Sequence, residues 1–138
     1  MQKTLFCFLS VAVFLAFVAP VLAQEGHPLA GTWHGEWGPT ATHRNDVTLV
    51  LEWDGKNING LINPGPQSLK LSKAALDPSF DPKGWTVHFE VDTKDHDGMP
   101  VRFVIDGRLE NLTSIRRSIV GTWSHGDVKG DFKIARDP

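Results

Sequence analysis

The chain has one cysteine and no tyrosine. A lone thiol makes no intrachain disulfide, and Cys7 lies in an N-terminal segment with the marks of an export signal. Once that segment is removed, thiol redox chemistry and cysteine-ligated metal are excluded, and stability must come from a packed core. An excess of charge of either sign is also missing. Removing residues 1–23, which hold Lys3 and no acid, leaves 13 basic and 16 acidic residues, a net charge of −3. That balance carries no electrostatic footprint for nucleic acid or an anionic membrane, so no nucleic-acid partner is expected. Catalytic signatures are lacking too: there is no Gly-x-Ser-x-Gly elbow, no His-Glu-x-x-His and no phosphate loop.

The one long apolar run, Leu5 to Val18, follows Lys3 and precedes Pro20 and Val21-Leu22-Ala23. A positive start, an apolar middle and small residues at the end form a signal-peptide pattern with cleavage after Ala23. The run is shorter than the roughly 20 residues a spanning helix needs, so no transmembrane span is expected after cleavage. No cysteine follows the cleavage site, which argues against a lipoprotein. The expected product is secreted or periplasmic. It has a flexible lead-in over 24–30 and one domain over 31–138, long enough for a single core.

What the domain has in quantity is alternation. Apolar and polar residues alternate over 31–37, 46–54, 58–63, 68–76, 85–92, 101–109, 118–125 and 129–136. Between them lie turn signals such as Asp54-Gly55-Lys56-Asn57 and Pro64-Gly65-Pro66, and an irregular stretch over 77–84. Eight strands joined by short connections, with no amphipathic helix, predict an all-β fold. An antiparallel up-and-down meander barrel is favoured over a sandwich. Gly31-Thr32-Trp33 near the start has an echo in Gly121-Thr122-Trp123 near the end. A meander that begins and ends alike can close by pairing its first strand with its last. All five tryptophans fall on the apolar parity of their strands and are expected inside.

Gly31-Thr32-Trp33 with Arg136 resembles the closure of the calycin group, the lipocalin-like and avidin-like meander barrels. There a Gly-x-Trp on the first strand packs its indole at the closed end, under a basic residue from the last strand. The resemblance implies that Trp33 and Arg136 close this barrel. The chain is also similar to small secreted bacterial domains of unknown function that open with Gly-Thr-Trp-x-Gly and end in a strand closing on arginine. It departs from lipocalins in having no cysteine pair, no long lid after the first strand and no C-terminal helix.

A tryptophan-rich interior can be filled or can hold a small apolar or aromatic ligand, and both readings stay open. The candidates for ligand contact are Trp37, Trp53 and Trp85, near strand ends, with Trp123 and His125. His125, inward at the end of its strand, is also a candidate axial haem ligand or proton donor. The haem-binding nitrobindins likewise begin with Gly-x-Trp-x-Gly. His34 with Glu36, and His88 with Glu90, share faces as metal ligands do. Both pairs lie on the outer parity and on strands far apart in a meander, so no metal site is expected. Asp92, Asp95, Asp97 and Gly98 lack the bidentate glutamate of a calcium loop and read as a solvated turn. No cofactor and no catalytic residue is assigned. A non-catalytic binding barrel is the leading reading. A small hydrolase or isomerase, or a haem barrel using His125, is the alternative.

Overall fold

The alternating runs all contribute strands to one antiparallel sheet. The computed structural model describes residues 26–78 and 84–138. The segment expected to be an export signal, 1–23, and the middle of the irregular stretch expected over 77–84 lie outside the described residues. The strands are β1 (Gly31–Thr40), β2 (His43–Trp53), β3 (Ile58–Ile62), β4 (Leu69–Lys70), β5 (Lys73–Asp77), β6 (Thr86–Lys94), β7 (Pro100–Glu110), β8 (Ser118–His125) and β9 (Val128–Arg136). Their order in the sheet is β4-β3-β2-β1-β9-β8-β7-β6-β5. The sheet curls into a half-barrel with no helix among the described residues.

The first strand does pair with the last: Trp33 faces Arg136 and Trp37 faces Phe132. The echo strand β8 flanks β9 on its other side, with Gly121 opposite Phe132. Curling comes from glycines at these seams. A Cβ on Gly35 would lie 1.9 Å from the Lys133 carbonyl oxygen, and one on Gly121 2.0 Å from that of Asp106. Only a residue without a side chain lets the neighbouring backbone come that close, which is how strands bend at barrel corners.

Nine strands replace the expected eight because the run over 68–76 is divided. The Leu71 amide donates to the Gly60 carbonyl of β3 (3.0 Å), and the next amide, Ser72, donates to the Glu90 carbonyl of β6 (2.8 Å). The two edges of the sheet therefore meet at Leu71-Ser72. The parity shift from Leu69 and Leu71 to Ala74 and Leu76 marks the crossing.

One face of the curl is the core. Leu29, Trp33, Leu51, Val87, Phe89, Val91 and Ile119 are each below 2% exposed. No polar or charged side chain is buried among the described residues. Charges line the outer face in cross-strand pairs. Arg102 Nε lies 2.7 Å from Asp92 Oδ1, and this bond holds the Asp92 carboxyl below its usual range. In the β2–β3 turn the Asp54 carboxylate accepts the amides of Asn57 and Lys56 (2.7 and 2.8 Å), which lowers its pKa in the same way.

The lead-in expected over 24–30 is built into the fold from residue 27 onward. His27 to Ala30 make a turn that places Leu29 at 0% exposure. The Trp33 indole N–H donates to the Leu29 carbonyl at 2.9 Å. Arg117 ties the turn down, donating to the Pro28 and Leu112 carbonyls at 3.0 and 3.1 Å. Partial burial at this end also lowers the pKa of His27.

Candidate functional site

Antiparallel hairpins put alternate connections at alternate ends. The β2–β3 and β7–β8 connections and the turn around Leu29 crowd one end, and there the interior is solid with Trp33, Leu51, Val87, Leu109 and Ile119. The β1–β2, β3–β4, β6–β7 and β8–β9 connections lie at the other end, where the interior is hollow. A half-enclosed cavity of about 140 Å³ opens here. Its floor includes Leu49, Leu71, Phe89 and Ile134, and its wall rises through Val47, Ile62, Leu69, Val91, Ile105 and Phe132 to Trp37, Phe103, Trp123 and Asn63. Thirteen of these fourteen are hydrophobic, and none carries a charge.

The aromatic side of the wall is held by its neighbours. Trp123 stands opposite Gly130, whose missing Cβ would come within 2.7 Å of the indole. The Trp123 N–H donates to the Asp131 carbonyl at 3.1 Å. Trp37 meets Trp123 edge-on, with centroids 5.0 Å apart and planes at 77°. Phe103 packs 6.1 Å from Trp123, tilted by 44°. Contacts of this kind favour an ordered wall over a loosely collapsed one.

Of the residues singled out for ligand contact, Trp37 and Trp123 line the cavity. His125 stands just beyond it. Its ring is 4.5 Å from Phe103 and stacked on Trp123 at 6.0 Å, with 13° between planes. Trp53 and Trp85 are at the opposite, solid end and are not among the lining residues. Trp53 is 42% exposed, against the expectation that all five tryptophans gather inside, and it contacts His27 at 5.8 Å. Being the last residue of β2, it runs past the edge of the core. Trp85 packs on the core rim, and its carbonyl accepts the Leu109 amide at 2.8 Å. At that end Trp33 is fully buried, and the Arg136 side chain crosses the face of Gly31, where a Cβ would sit 2.9 Å from its Nε.

His34 finds partners other than Glu36, whereas His88 keeps Glu90 near it, with Nε2 3.8 Å from Glu90 Oε2. His34 Nδ1 is 3.0 Å from Thr48 Oγ1, and its Nε2 is 2.9 Å from Asp137. His88 Nδ1 is 2.6 Å from Asp106 Oδ1, beside a shallow hollow lined by Ala75, Leu76, Asp77, Thr86, Val87 and Gly107. Among the described residues no three His, Cys, Asp or Glu side chains are placed to hold a metal ion. In the acidic turn Asp95 accepts the amides of Asp97 and Met99, both at 2.9 Å. Within the described residues no helix is long and apolar enough to cross a membrane.

Sequence reading missed Phe89, Phe103, Phe132 and Asn63 as parts of the site. The inward parity of the phenylalanines was visible, but their depth in the barrel follows from register. Asn63, at the end of β3, carried no pattern at all. Comparison of the chain with protein-family models, with curated proteins and with solved structures finds no match.

Proposed function

We propose that this chain is an exported, non-catalytic barrel of the calycin kind that holds one small apolar or aromatic molecule in its half-open interior. The observation that carries this reading is the 140 Å³ cavity, walled by hydrophobic side chains around Trp37 and Trp123. An enclosed apolar cavity of about 150 Å³ takes up one benzene ring, and this half-open hollow is of similar size. Occupation returns the dispersion contacts that an empty hollow forfeits. The size fits a single ring or a short alkyl chain and falls below the roughly 300 Å³ of sites for larger ligands. The calycin kinship is supported by the β1–β9 pairing and by Trp33 buried opposite Arg136. Export is supported by the pattern over 1–23.

Ile105→Phe tests the reading by filling the hollow from β7. Calorimetric titration with a single-ring hydrocarbon is expected to show binding to the native chain and at least about tenfold weaker binding to the variant, with the melting temperature held or raised. Equal binding by a folded variant places the ligand elsewhere.

A further inference from the structure

Resting on that cavity reading, we infer that the bound molecule carries one neutral hydrogen-bond acceptor, a carbonyl or ether oxygen, which the Asn63 amide holds at the mouth. Asn63 is the one lining residue with a polar side chain other than the two tryptophans. It sits just past β3 with φ 49°, in the left-handed region that asparagine tolerates. Two bonds to a single residue of β2 fix it there. Its backbone N–H donates to the Thr48 carbonyl at 2.7 Å, and its side chain lies 3.0 Å from the Thr48 amide nitrogen.

The second bond settles which way the side-chain amide points. A backbone N–H can only donate, so the atom facing Thr48 is the oxygen. The NH₂ is then the end left over, and it has no partner among the described residues. Asn63 is among the residues that border the cavity, and it is exposed at the rim. The remaining polar groups of the wall point to the same chemistry. A tryptophan can only donate, and the Trp123 N–H is already bonded to Asp131. With the Asn63 oxygen engaged by Thr48, the lining side chains offer donors and no free acceptor.

Charge narrows the class further. No lining residue is charged. The nearby cation Arg44 is turned to the outer face, where it donates to the Gly38 carbonyl and pairs with Asp131. An ammonium head beside Asn63 would face the NH₂, itself a donor. A carboxylate would find one neutral amide and no counter-ion. A neutral oxygen on an otherwise apolar body gives up least, and accepts the Asn63 N–H where the cavity meets water.

Cumene, acetophenone and 1-phenylethylammonium share a skeleton and differ in one substituent beside the ring, so they isolate the head group. Each is titrated into the native protein and into Asn63→Asp, which keeps the oxygen facing Thr48, tolerates the left-handed backbone and replaces the NH₂ with a negative oxygen. The native protein is expected to bind cumene and acetophenone, and the ammonium at least about tenfold more weakly. In Asn63→Asp, cumene affinity is expected to stay within about twofold. Acetophenone should weaken by about three- to fivefold, and the ammonium should gain by about as much. Asn63→Gly, which keeps the backbone and removes both polar ends, should lose acetophenone relative to cumene without gaining the ammonium. An unchanged acetophenone-to-cumene ratio in the variants, or no gain by the ammonium in Asn63→Asp, overturns the inference and leaves the cavity reading standing. Failure of cumene and acetophenone alike to bind the native protein overturns the cavity reading and the inference with it.

Discussion

Trp33→Ala is expected to remove about 3–5 kcal/mol of stability, in a chemical denaturation read by circular dichroism. Domains of this size have only about 5–15 kcal/mol in total, so the variant should be close to unfolding at ambient temperature. The size of the effect follows from where the indole sits. Trp33 is 0% exposed, packs in the solid end of the curl, and holds the Leu29 turn through its N–H. Trp33→Phe keeps most of the apolar volume but leaves the Leu29 carbonyl without its donor, at a cost of about 1–3 kcal/mol. Trp53→Ala is the control. Being 42% exposed, that residue gives up less buried area on truncation, and a clearly smaller loss than at Trp33 is expected. A loss at Trp53 equal to that at Trp33 would mean that the tryptophans are not sorted by end as described.

Gly35→Ala is expected to fall at or above the upper end of the roughly 1–3 kcal/mol that overpacking costs. The reason is the identity of the neighbour. The added methyl would meet the Lys133 carbonyl oxygen at 1.9 Å, and a backbone atom held in the β1–β9 ladder cannot rotate away. Relief requires parting the two strands whose pairing joins the start of the sheet to its end. Gly26→Ala, with nothing within 4 Å of the new Cβ, should be close to neutral in the same melt. A Gly35→Ala variant as stable as the native chain would show that the sheet can curl without that close approach.

Period-2 alternation made most of the strands legible, because each has one dry face and one wet one, and β8 was expected at its observed limits, Ser118–His125. The pairing of β1 with β9 was legible from the Gly-Thr-Trp echo, although the echo strands β1 and β8 do not touch each other but flank β9. The division of 68–76 was legible in principle. A strand that changes sheet partner must re-aim its side chains, and the shift from Leu71 to Ala74 records this. Parity reports which face a side chain takes and nothing about which end. Trp37 lies by the β1–β2 turn and Trp53 by the next one, so a meander has to place them at opposite ends of the sheet. That rule separates the two candidates without a structure, and it is the step the sequence reading omitted. Asn63 is a different case. Its place at the mouth depends on the exchange of bonds with Thr48, fifteen residues earlier, and no local pattern announces it.

The most direct measurement of the central claim is a titration of the native protein with a single-ring hydrocarbon, followed through the side-chain N–H signals of its five tryptophans by nuclear magnetic resonance. Occupation of the cavity predicts that the Trp37 and Trp123 signals move together and saturate, while those of Trp53 and Trp85 hold still. Shifts largest at Trp53 and Trp85, or none at any tryptophan up to the solubility limit of the ligand, would contradict it.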